Sequence, residues 1–130
     1  MTTLLLDTHV IHWMSSEPEH LSEPAAKAIR EASGLAVAAI SWWELAYLAK
    51  RERIAIALPI PRWLERMADC VTTIGITPAI AATAAELPRS FPGDPADRLI
   101  YATAIETGFT LTTRDARMRA HSHLRSPAIW

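Results

Sequence analysis

The chain has 130 residues, half of them hydrophobic, with 13 Lys and Arg against 14 Asp and Glu. A chain of this length buries roughly two thirds of the surface its unfolded form exposes, so neither disulfides nor a structural metal is needed to hold a core. Cys70 is the single cysteine. That excludes an internal disulfide framework and makes a reducing cytoplasm the expected compartment. The longest uncharged run, residues 70–85, contains Gly75 and Pro78, and it falls short of the roughly 20 apolar residues of a spanning helix. Asp7 interrupts the N-terminal leucines, so neither a membrane segment nor a secretory signal is expected.

Residues 3–6 form a short apolar run that stops at Asp7, the pattern of a buried strand meeting a turn. A helix follows through Trp13. Ser22 begins a second helix with Pro24 in its first turn, Ala25, Ala28, Ile29 and Ala32 along one face, and Gly34 as its end. Residues 35–40 read as a second buried strand, and from Ser41 helical spacing brings Leu45, Leu48 and Ala49 to one side. Pro61 opens a helix that faces Trp63, Leu64 and Met67 inward. Residues 71–76 are β-branched enough for a third strand. Thr77-Pro78 caps the next helix. Asp94-Pro95 starts another, which Gly108 ends before a fourth strand at 109–113. A short polar helix follows Asp115, and residues 128–130 suggest an added edge strand.

Strands alternating with helices imply parallel pairing through right-handed crossovers. The expected fold is α/β, one domain over residues 1–130, with a central parallel sheet of four to five strands and helices on both faces. Ligands bind such sheets beyond the carboxyl ends of the strands, and that is where the acids lie. Asp7 follows the first strand, Glu44 lies one turn into the helix after the second, Asp115 comes just after the fourth, and Asp97 sits in the first turn of the helix at 95–106. Each also reads as a helix cap: Asp7 for the first helix, Ser41-x-x-Glu44 and Asp94-x-x-Asp97 as capping boxes, Asp115 at a helix start. Capping does not explain why three of them follow strands at one sheet edge.

Carboxylates gathered without a counter-charge repel and take up protons, and a divalent cation relieves this. An all-oxygen set without paired His or Cys suits Mg²⁺ or Mn²⁺ better than zinc. The chemistry expected of such a cleft is phosphodiester hydrolysis. No nucleophile elbow and no Gly-rich phosphate loop competes. Charge is uneven along the chain: residues 1–49 carry six acids and two bases, residues 50–130 eight acids and eleven bases.

Leu-Leu-Leu-Asp-Thr-His at 4–9, Ser-Trp-Trp-Glu-Leu at 41–45, Gly-Asp-Pro-Ala-Asp-Arg-Leu-Ile at 93–100 and Leu-Thr-Thr-Arg-Asp at 111–115 occur in this order. In this the chain resembles PIN-domain proteins, specifically the VapC-like toxins of bacterial toxin–antitoxin pairs, over essentially its whole length. The resemblance implies an endoribonuclease in which Asp7, Glu44, Asp97 and Asp115 hold one or two Mg²⁺ or Mn²⁺ ions and a metal-bound water attacks the RNA phosphodiester. It makes Asp7 and Asp97 the firmest ligands, Glu44 a further ligand or water orienter, and Asp115 a ligand acting through water. Thr113 matches the hydroxyl beside the fourth acid. Thr8 and Asp94 are implied as supports of the acids, Asp94 by capping the helix that presents Asp97. Where many relatives carry a histidine two residues before the acid matching Asp94, this chain has Pro92.

A cognate VapB-like antitoxin that blocks the cleft is also implied, as are a homodimer, a heterotetramer or larger assembly with the antitoxin, and contact with DNA only through it. Trp13, Trp42, Trp43 and Trp63 lie on or near helices the family uses for partners, with core packing expected for most of them. Arg98, Arg114, Arg117 and Arg119, together with Arg125, are candidates for RNA backbone contact. Two other readings remain at this stage. A phosphatase with Asp7 as nucleophile lacks the usual second acid, since His9 stands two residues on, and a non-catalytic binding module would use the acids only as caps.

Overall fold

In a computed structural model that describes residues 2–121 and 123–130, four short strands build the centre: β1 (Thr3–Leu6), β2 (Gly34–Ala38), β3 (Thr72–Ile74) and β4 (Thr110–Thr112). All pair in parallel in the order β3-β2-β1-β4, with Leu4 opposite both Leu35 and Thr110. Seven α-helices connect or follow them: α1 (Thr8–Ser16), α2 (Glu23–Glu31), α3 (Ile40–Lys50), α4 (Ile60–Ala68), α5 (Pro78–Glu86), α6 (Pro95–Thr107) and α7 (Ala116–Arg119). A 3-10 turn at Pro18–His20 follows α1.

Successive strand residues face opposite sides of a sheet, and the core divides accordingly. Leu4, Leu6 and Val37 pack with Val10 and Ile11 of α1, Leu45 of α3, and Trp63 and Met67 of α4. Leu5, Ala36, Ala38 and Leu111 pack on the other face with Ile100, Tyr101 and Ala104 of α6 and Met118 of α7. The strand order explains this division. Steps from β1 to β2 to β3 run one way across the sheet, whereas the step from β3 to β4 runs back past β1. A right-handed crossover made in the reverse direction must lie on the opposite face. The carboxyl ends of β1 and β4 therefore border the place where the chain changes direction, the usual ligand crevice of such sheets.

Three local expectations are corrected. Gly34 does not end α2, which stops at Glu31 with Ala32 as its C-cap. Instead it opens β2 opposite Thr3, whose Oγ1 lies 3.3 Å from where a Cβ on Gly34 would stand. Residues 128–130 do not make a fifth strand. A single parallel bridge joins Ile129 to Thr112, with Ile129 N–H donating to Leu111 O and Thr113 N–H to Ile129 O, so the sheet has four strands. Finally, α3 starts at Ile40 with Ala39 as its N-cap and no side-chain cap, so Ser41-x-x-Glu44 is not a capping box. The caps expected at Ser22 and Thr77 are in place, as is the left-handed Gly108 that closes α6 at φ 75°. Among the described residues, no helix is long and apolar enough to cross a membrane.

Candidate active site

Asp7 leaves β1 beside β4, and its N–H donates to Thr112 O at 3.0 Å. Its carboxylate caps α1 by accepting the Thr8 N–H at 2.8 Å through one oxygen and takes the Thr113 hydroxyl on the other. Thr113 Oγ1 also accepts the Asp115 N–H at 3.0 Å, so one hydroxyl ties the first acid to the backbone of the last. Glu44 reaches the same place from α3. The Thr8 hydroxyl donates to it and lies 3.0 Å from Ser41 Oγ, which accounts for the first turn of α3 without any capping role. Asp94 caps α6 through the N–H groups of Ala96 and Asp97, setting Asp97 one turn into that helix.

Asp7, Glu44, Asp94, Asp97 and Asp115 line one pocket of about 430 Å³, together with Thr8, His9, Trp13, Arg114 and Arg117. Burial pushes the Asp7 and Glu44 carboxyls up, against the hydrogen bonds from Thr113 and Thr8. Asp97 has no such donors. Burial, reinforced by Asp94, Asp7, Glu44 and Asp115, takes it from 3.8 to about 7. For Asp115 burial acts upward too, but the Arg117 side chain and the N–H groups of Arg117 and Met118 outweigh it, and the group ends below the ordinary range.

An acid raised in the native state binds its proton more tightly than in the unfolded chain, so its contribution to stability is full below about 3.8 and is lost as pH climbs to about 7. Urea midpoints of metal-free protein are therefore expected to fall more steeply between pH 5 and 7.5 in the wild type than in Asp97→Asn. Equal slopes would mean that the Asp97 charge is already compensated.

Most residues singled out from the sequence meet at this pocket, but Arg98, Arg119 and Arg125 do not line it, and the Arg125 side chain lies instead against Gly108. The Arg98 guanidinium donates to the carbonyls of Pro92, Ala84, Leu87 and Pro88 at 3.1–3.2 Å. Four of its five donors are thereby taken, and they clamp the segment before α6. Arg119 donates to Arg114 O outside the pocket. Ser122, within the basic segment 114–125, lies outside the described residues. Arg117 stands 3.2 Å from Asp115 and 4.0 Å from Asp97, a counter-ion the sequence spacing did not reveal. Trp13 was missed as a wall of the pocket, where the Arg114 guanidinium lies 5.9 Å from its ring centre.

A family described as the PIN domain matches residues 4–124. The chain belongs to the PIN-domain family. It is 60% identical to Ribonuclease VapC22 of Mycobacterium tuberculosis over 130 residues, all of both chains. Its PIN fold is also similar to solved structures. One is a toxin-antitoxin complex from Klebsiella pneumoniae (TM-score 0.68, 21% identity, 95% of this chain and 97% of that one). Another is DNA-bound VapBC from Salmonella typhimurium (TM-score 0.70, 23% identity, 96% of each). A third is VapBC2 from Rickettsia felis bound to a promoter DNA fragment (TM-score 0.67, 17% identity, 95% and 96%).

The PIN pocket offers carboxylate and hydroxyl oxygens with no cysteine, and burial, with neighbouring carboxylates adding to it, pushes three of its acids upward. Hard divalent cations fit such donors. Among the described residues, the group whose ligand atoms fall within 4.8 Å of one another is Glu17, Glu19 and His20, on the turn after α1. No three of the pocket acids meet that spacing.

Proposed function

We propose that this PIN protein is a metal-dependent endoribonuclease that hydrolyses RNA phosphodiester bonds as the toxin of a toxin–antitoxin pair. The observation that carries the reading is the convergence of five carboxylates at the carboxyl ends of β1 and β4, in a chain 60% identical to Ribonuclease VapC22. In this reading Asp7, Glu44, Asp97 and Asp115 hold Mg²⁺ or Mn²⁺, which when bound supplies a Lewis acid and an activated water.

The chain's own residues have separable tasks. Thr113 and the Thr8 N–H fix both oxygens of Asp7, the Thr8 hydroxyl orients Glu44, and Asp94 sets the start of the helix that carries Asp97. Such outer partners hold ligands in productive orientation. Arg114 and Arg117 at the pocket are placed to meet the phosphate backbone, Arg117 by leaving its present carboxylates. In this reading residues 1–130 act as one nuclease unit in the cytoplasm. A VapB-like antitoxin covers the pocket, the toxin forms a homodimer that assembles with it into a heterotetramer or larger particle, and DNA is reached only through the antitoxin. The VapBC composition and bound DNA of the solved relatives support that part.

Partner-free protein is expected to cut a panel of structured cellular RNAs at discrete positions with Mn²⁺ or Mg²⁺. EDTA or Asp7→Asn should each reduce this at least about 100-fold. Cuts that survive both treatments would overturn the assignment.

A further inference from the structure

Two side chains of the carboxylate pocket, His9 and Trp13, also line a neighbouring cleft of about 520 Å³. This cleft lies between α1, which adds Ser16 and its C-cap Glu17, and the end of α3, which adds Leu48 and the Arg53 that follows it. Glu17 is the single acid in the lining. It is flanked by two imidazoles, with His12 Nε2 at 3.2 Å and His20 Nε2 at 3.8 Å.

The way α3 ends brings Arg53 to the cleft. Glu52 takes the left-handed conformation at φ 56°, its N–H donates to Ala49 O, and the Arg53 N–H donates to Leu48 O at 2.8 Å. This paired closure of a helix end usually has glycine at the left-handed position. It ties the Arg53 backbone to α3, while the exposed side chain has no ion pair or hydrogen bond among the described residues. Arg98 and Arg117, by contrast, are already engaged by carbonyls and carboxylates.

We propose that Arg53 binds a backbone phosphate of the RNA strand: with the scissile phosphate in the carboxylate pocket, the strand passes His9 and Trp13, and a flanking phosphate meets the Arg53 guanidinium. The proposal rests on the ribonuclease reading and names the side on which the strand leaves the pocket. A strand cut internally continues beyond the site of chemistry, and five carboxylates repel its backbone there. The hold on it must therefore come from cations further along the path. The cleft past His9 and Trp13 is contiguous with the pocket and carries such a cation, unengaged and on a fixed backbone. The groove that shares Glu44 and Asp94 with the pocket has no basic residue in its lining, so it offers the strand no equivalent hold.

The test measures binding of a labelled, mixed-sequence eight-nucleotide single-stranded RNA to full-length Asp97→Asn protein, by fluorescence anisotropy at fixed Mg²⁺ and several potassium chloride concentrations. Adding Arg53→Gln is expected to weaken binding about fivefold or more at low salt, and to make the slope of log affinity against log salt shallower by about 0.7, the value for one phosphate of a single strand. Arg53→Lys should restore most of both, because an ammonium still meets a phosphate as a point charge. An oligomer with an uncharged methylphosphonate backbone should bind alike with or without Arg53. Equal affinity and slope for Arg53→Gln and its parent overturn the subsite. So does a loss that lysine fails to rescue, or one that persists with the uncharged oligomer. Arg53-dependent binding by a protein whose Asp97-bearing form cuts no RNA would defeat the nuclease reading and keep the subsite, whereas cleavage with an unchanged KM in Arg53→Gln would do the reverse.

Discussion

Asp97→Asn is expected to inactivate the protein and, in EDTA, to make it more stable. Asp97 is 17% exposed, has no hydrogen-bond donor of its own among the described residues, and faces four other carboxylates across one pocket. Holding its proton up to about pH 7 instead of 3.8 corresponds to an upper limit near 4 kcal/mol at alkaline pH. Relaxation and the nearby Arg117 reduce this to about 2 kcal/mol at pH 8. An asparagine carries no charge to repel and leaves the Asp94 cap untouched. Melting temperature in EDTA should rise by roughly 5–10 °C, while RNA cleavage with Mn²⁺ falls at least about 100-fold. Mn²⁺ should raise the wild-type melting temperature and close the gap, because an ion that binds only the native state stabilises it by mass action. A variant that melts below wild type in EDTA would sink the claim that charge accumulation strains this pocket.

Arg98→Ala should produce the largest loss of stability of any arginine substitution. Its side chain joins four carbonyls between Ala84 and Pro92 and lies over the Phe91 ring at 5.9 Å, while its own helix carries Asp97 one residue earlier. Hydrogen bonds from a charged donor contribute about 1.5–3 kcal/mol each when buried. Because some of these carbonyls regain water, the sum is nearer 3 kcal/mol, or roughly 10 °C in melting temperature. Lysine should rescue little, since an ammonium cannot reproduce the planar fork. A variant that melts like wild type but binds RNA more weakly, with a salt slope smaller by about one, would restore Arg98 as a phosphate contact.

The features legible in the sequence are those with a local cause. Strand-length apolar runs, Pro at helix starts, Gly108 at a helix end and the acids after strands each depend on neighbours a few residues away, and the structure places them within a residue or two. Asp7, Asp94 and Asp115 are helix caps and pocket residues at once, so capping and site formation are one arrangement, not rival explanations. What stayed hidden was decided at a distance. Glu44 looked like half of a capping box because nothing near it betrays Thr8, 36 positions away. Arg98 looked free because its carbonyl partners are irregular backbone that carries no sequence signal. The exposure of Trp43 depends on which face of α3 the sheet covers, and in a helix this apolar on several sides the spacing does not decide it.

The pairing of β1 with β4 also governs when the pocket can exist. Asp7 and Thr113 are hydrogen-bonded across 106 positions, and the strand at the middle of the sheet receives one of its two neighbours only from residues 110–112. Translation delivers the chain from its N-terminus. A nascent chain that already displays Asp7 and Glu44 still lacks Asp97, Thr113 and the edge that aligns them. Until residue 115 has left the ribosome the acidic pocket is incomplete, so for most of its synthesis the chain carries only part of that pocket.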